Sequence, residues 1–132
     1  MRFTEHEMTA GLTGAAKTVL AAQRKDVRKG KADVDQVWDD MDRYARYQVL
    51  DSLGKEVLPV LVALPDIEVE TGTRPSFTDE QVSATVEALL GDDVGRLKRA
   101  VLVRTRVTLV QAALAGMPPR SDPDALIVPD HL

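Results

Sequence analysis

The chain has no cysteine, no asparagine, two histidines and five aromatic side chains in 132 residues. Zero cysteine excludes disulfides and thiolate nucleophiles, while leaving the redox compartment open. The two histidines, His6 and His131, lie far apart, and neither has a partner at a recognisable ligand or nucleophile spacing. No catalytic residue, metal ligand or cofactor-binding residue is therefore assigned. Long hydrophobic runs are also missing. The longest, Val57 to Leu64, has eight residues, against about 20 for a membrane-spanning helix. The first twenty residues carry acids, Lys17 and two glycines in place of a basic start and an apolar stretch, so no secretory signal is expected. A soluble, cytoplasmic protein with no membrane partner follows as the expectation.

The composition is otherwise that of a soluble globular domain, 44% apolar and 29% charged with a net charge of -4. It is too apolar for a disordered chain, and its length suits one domain.

Two stretches, Phe3-Thr4-Glu5-His6-Glu7-Met8 and Phe77-Thr78-Asp79-Glu80-Gln81-Val82, carry the same helix-start signature. A threonine caps, a Glu or Gln three residues on returns the bond, and the preceding Phe can staple onto Met8 or Val82. From Thr4 the apolar positions Met8, Leu12, Ala15, Val19 and Ala22 recur at helical steps. The first helix is expected to run to Lys29 and end at Gly30. Interior Gly11 and Gly14 call for a close backbone neighbour or a bend.

Asp33 predicts the cap of a second helix with Gln36 at the reciprocal position. Its core face is Val34, Val37, Met41, Tyr44, Ala45 and Gln48, with Trp38 and Tyr47 on the flanks. Asp39–Arg43 and Asp42–Arg46 have the spacing of surface ion pairs. Leu50, Leu53, Val57, Leu61 and Leu64 continue the spacing through Gly54 and Pro59, which predicts a kinked or restarted helix; a strand over Val57 to Leu64 is the alternative. Asp66 to Ser76 reads as a loop. A fourth helix runs from Thr78 to Gly91, and Asp92 or Asp93 should cap the last. In that last helix Ala100, Val103, Val107, Val110, Leu114 and Met117 form one seam, with Leu97, Val101, Thr105, Thr108 and Ala112 as a second stripe beside it. The expected architecture is a single all-α domain of about five helices over residues 1–117, with an extended tail over 118–132 on which Leu126, Ile127 and Val128 can dock.

Scarce Lys and Ile, with many Arg, Ala and Val, match GC-rich coding. The Phe3 to Ala10 opening, the Trp38-Asp39-Asp40-Met41-Asp42-Arg43-Tyr44 segment and Val57 to Pro65 together resemble small helical proteins of mycobacteria and related high-GC bacteria. The resemblance spans residues 3 to about 120 and implies an all-helical fold. It carries over no assigned activity or site residue.

Gly11-Leu12-Thr13-Gly14-Ala15-Ala16-Lys17-Thr18 falls one residue short of a phosphate-binding loop, because Ala16 stands where glycine is required and no strand precedes it. The aspartates Asp35, Asp39, Asp40 and Asp42 project in different directions around a helix and do not converge on a metal. Charge is uneven: residues 94–120 hold six basic side chains and no acid. That allows weak nucleic-acid contact through Arg96, Lys98, Arg99, Arg104 and Arg106. Residues Ser83 to Leu102 fit a helix-turn-helix poorly, since Glu87 occupies a position meant for a small buried residue. Trp38 and Tyr47 are candidates for a partner surface, with burial beneath the Asp66 to Ser76 loop the favoured alternative.

The leading expectation is a non-enzymatic helical interaction protein, self-associating or binding a cytoplasmic protein partner. Weak nucleic-acid binding is the alternative, and a small-molecule or enzymatic cleft near Trp38 is a further one.

Overall fold

The computed structural model describes residues 1–121, so the expectations for Leu126, Ile127, Val128 and His131 lie outside the described residues. Among the described residues there are six helices and no strand: α1 (Glu5–Gln23), α2 (Lys25–Arg28), α3 (Val34–Asp40), α4 (Arg43–Ala63), α5 (Asp79–Leu89) and α6 (Arg96–Gly116). The all-α expectation holds, and Val57 to Ala63 is helical, with Leu64 as the C-cap.

Both capping boxes form. Thr4 Oγ1 accepts from the Glu7 amide at 3.0 Å and Glu7 Oε1 from the Thr4 amide at 3.0 Å. At α5 the corresponding bonds of Thr78 and Gln81 are 3.1 and 2.8 Å. Each box satisfies two of the amides that a helix start leaves without a partner.

The first helix stops earlier than its apolar spacing suggests. Arg24 leaves the helical conformation, and its guanidinium grips Asp26 through two bonds of 3.2 and 2.9 Å. Asp26 Oδ1 also accepts the Val27 amide at 2.9 Å within the separate turn α2, whose N-cap is Arg24. Gly30, at φ +73°, then ends α2 as expected, with the Lys31 amide returning to the Asp26 carbonyl.

Asp33 caps α3 by accepting the Asp35 amide at 2.8 Å, but Gln36 bonds to Asp40 instead of returning to the cap. The second expected helix breaks at Met41, and Asp42 caps α4 through the Tyr44 amide. This break corrects three expectations. Neither Asp39–Arg43 nor Asp42–Arg46 is among the ion pairs of the described residues: the first needs an unbroken helix across Met41, and in the second the Asp42 carboxylate is turned to the Tyr44 amide as a cap. Tyr44, placed by sequence on the core face, is 65% exposed. The core face of α4 is set by Leu53, Val57, Val60 and Leu61, and Tyr44 lies nine residues, about two and a half turns, from Leu53. Gly54 and Pro59 interrupt nothing: α4 is continuous through both. Pro59 is exposed, so its missing amide and its ring fall on the side away from the core.

The last helix has no aspartate cap. Its N-cap is Gly95, without a side-chain bond, and Asp92 and Asp93 lie in the preceding turn. Here α6 packs against α1, α4 and α5, and α1 also meets α4. Leu109, Val110, Ala113, Leu114 and Met117 are buried, so the seam read from sequence becomes core over the C-terminal half of α6. The α1–α6 contact is backbone to backbone. A Cβ on Gly11 would lie 2.8 Å from the Ala113 carbonyl oxygen, and one on Gly14 would lie 2.9 Å from Gly116 Cα. Close approach, one of the two expected explanations for these glycines, is what the fold supplies.

After α6 the chain is tied back. The Gly72 amide donates to the Arg120 carbonyl at 2.7 Å and the Arg120 amide to the Thr73 carbonyl at 2.8 Å. Arg74 Nε donates to the Met117 carbonyl at 2.6 Å, satisfying an acceptor at the end of α6.

Candidate functional site

The sequence-derived candidates separate on inspection. Trp38 is 6% exposed and belongs to the core cluster. The short α3 packs against α1, joined also by the Lys17–Asp35 pair at 2.8 Å, and this arrangement takes the indole off the surface. Tyr47 remains on the surface, 64% exposed.

The basic residues of α6 divide similarly. Arg96, Lys98 and Arg104 are exposed. Arg99 donates to the Gly91 carbonyl at 2.6 Å, and Arg106 is half-buried with its Nε atom buried and unbonded. The second apolar stripe of α6 is uncovered at its N-terminal end, where Leu97 is 86% and Val101 65% exposed. The helix that fills the centre of the bundle with one half thus presents isolated apolar side chains among cations with the other.

A larger apolar surface follows the outer side of α4. Tyr44, Tyr47, Asp51, Lys55, Leu58 and Val62 fall within about 80° of one another at 100° per residue. Val62, like Tyr44, is 65% exposed. Beside this stripe runs a groove of about 530 Å³, bounded by Leu12 of α1 and by Leu50, Gly54, Leu58, Pro59 and Val62 of α4. Asp51 and Lys55, paired at 3.2 Å, are its only charged lining residues. Sequence periodicity missed this face because Tyr44 was assigned inward. Reading Asp42 as a cap instead of an ion-pair partner would have placed it correctly.

A second cleft, of about 490 Å³, lies where the start of α1 meets the segment after α6 and is lined in part by Phe3, His6, Glu7, Pro119 and Arg120. Two of its charges, Glu7 and Arg120, are spent on each other. Glu7 is buried, and Arg120 holds it through Nε to Oε2 at 3.0 Å and Nη2 to Oε1 at 3.3 Å. The guanidinium also donates to the Arg2 carbonyl and stands 6.0 Å from the Phe3 ring centre. Burial pushes the Glu7 carboxyl up, but the Thr4 amide and Arg120 outweigh it and hold the group below the usual glutamate range. Both ends of the described chain are clasped by this one carboxylate. His6 faces solvent, consistent with its place in the first helical turn.

The phosphate-loop-like string is helical throughout and its glycines lie against α6, so its amides are not free to surround an anion. Among the described residues no group of three or more His, Cys, Asp or Glu side chains is placed to hold a metal ion, and no helix is long and apolar enough to cross a membrane. Among the described residues, fold and surface define a small helical bundle with two uncovered helix faces. No family model, no curated protein and no solved structure matches the chain.

Proposed function

We propose that this protein is a small non-enzymatic interaction module that covers exposed helix surface against another polypeptide chain. The observation that carries the reading is the apolar outer face of α4, with Tyr44, Tyr47 and Val62 each about two thirds exposed around a groove lined by leucines. Exposed apolar side chains gathered on one helix face mark contact sites more often than scattered ones do. Tyrosine in particular supplies large contact area at low entropic cost.

The absence of cysteine permits a clean test. An environment-sensitive fluorophore on Tyr47→Cys or on Leu97→Cys reports whether either face becomes covered. The reading expects a blue shift in cytoplasmic fractions that protease abolishes and nuclease leaves unchanged. Probes that stay solvent-exposed in every fraction contradict it.

Arg96, Lys98 and Arg104 support nucleic-acid contact as the second reading, since they are exposed, no ion pair among the described residues holds them, and no acid lies between residues 94 and 120. An electrophoretic shift that fades with rising salt and with Lys98→Glu plus Arg104→Glu supports it. No shift at low salt removes it. Arg99, bonded to the Gly91 carbonyl, and Arg106, half-buried, are poor positions for that test.

A further inference from the structure

The two exposed faces differ in the partner they accept. Around the α6 stripe stand Arg96, Lys98 and Arg104 with no acid on the helix, so a second copy docked there by two-fold symmetry sets cations against cations. The α4 face carries one acid and one base at its middle, Asp51 and Lys55, and apolar or aromatic side chains at both ends.

We infer that the outer face of α4 is a two-fold interface with a second copy of this chain, a conclusion that rests on the interaction reading above and names its partner. Its residue pattern is self-complementary. An antiparallel contact centred on position 53 sets each Asp51 opposite Lys55 of the second copy, Tyr47 against Leu58, and Tyr44 opposite Val62. In a two-fold contact, residue i meets j and j meets i, so all three pairs occur twice. The four charges close into one ring across the axis. At either side a Tyr47 ring meets the end of the groove formed by Leu58, Pro59 and Val62, the kind of aromatic anchor in an apolar recess that dominates interface energies. Gly54 keeps the groove open, for its missing side chain faces Leu58 and Leu12 at ordinary contact distance. From Tyr44 to Val62 the face is about 27 Å long at 1.5 Å per residue. A strip one helix wide and that long is at the small end of specific interfaces, so the dimer dissociates on dilution.

The test is a charge exchange followed by sedimentation. Asp51→Lys leaves only cations at the axis and Lys55→Asp only anions, so each variant alone should dimerise at least about ten-fold more weakly than the wild type. An equimolar mixture of the two restores opposite charges across the axis and should recover the dimer. Loss of the Asp51–Lys55 pair within one helix cannot produce that recovery, because both chains in the mixture still lack it. Circular dichroism establishes that the variants are folded. Should either be unfolded, Val62→Arg at an exposed position replaces it and is expected to give a folded monomer. A wild type that is monomeric at its highest soluble concentration overturns the inference, as does a mixture that stays monomeric or single variants that dimerise normally. The interaction reading fails separately, when the Tyr47→Cys and Leu97→Cys probes remain uncovered by any polypeptide. A dimer that is lost with Leu97→Glu and unaffected by the α4 substitutions also overturns the α4 interface and leaves that reading standing.

Discussion

Gly14 of α1 and Gly116 of α6 meet so closely that a methyl group on Gly14 would lie 2.9 Å from the Gly116 Cα, and one on Gly116 would lie 3.1 Å from the Gly14 Cα. The obstacle is backbone, which cannot rotate away. Gly14→Ala gains up to about 1 kcal/mol of helix propensity but forces the helices apart, an overpacking cost of about 1–3 kcal/mol. Gly54→Ala is the control. Its new methyl meets only flexible ends of Leu58 and Leu12 at 3.5 and 3.7 Å. Denaturant unfolding should show a net loss of stability for Gly14→Ala and a small gain for Gly54→Ala in the monomer.

The Glu7–Arg120 clasp predicts a pH dependence of known sign. The folded carboxyl is held below its ordinary range, so its contribution is complete above the ordinary glutamate value and disappears as pH falls through the lower folded value. Glu7→Gln should remove that part of the acid sensitivity. At neutral pH, Arg120→Met should cost about 1.5–3 kcal/mol, the usual range for a hydrogen bond to a charged group. Melting temperature as a function of pH measures both. An unchanged acid limb in Glu7→Gln contradicts the assignment.

Leu97 and Val101 are exposed in the free chain, so replacing both by Ser should change stability by no more than about 0.5 kcal/mol per site. Leu61→Ala, at a fully buried position of α4, should cost about 2–5 kcal/mol. Thermal or urea unfolding separates the two. A large loss in the double serine variant would mean that the α6 stripe is covered within the monomer.

Much of the fold is legible in the sequence wherever a local rule acts alone. Both threonine caps, the Asp33 cap, the Gly30 stop and the C-terminal seam of α6 depend on a few neighbouring residues, and each is found as read. The misreadings share one cause: side chains with two available roles. Asp42 has the spacing of a surface ion-pair partner and serves as a cap residue. Asp92 and Asp93 have the chemistry of caps, yet the helix starts after them at Gly95. Once Asp42 restarts the helix, the facing of every residue in α4 is set afresh, which is why Tyr44 and the outer face escaped the periodicity argument. The Glu7–Arg120 clasp joins residues far apart in sequence, and no spacing rule reaches it. Trp38 lies off the main apolar stripe of its helix, and its burial, the favoured reading of the sequence, comes with the packing of α3 against α1.

The account turns on whether the outer face of α4 is a protein contact surface, beginning with a second copy. Sedimentation velocity of the intact wild-type chain across a concentration series tests this most directly. The predicted result is a weight-average mass that rises from the 14.4 kDa of one chain toward twice that value, and that Val62→Arg holds at the monomer. A mass of one chain at every concentration, with a Tyr47→Cys probe still facing solvent, would contradict the account.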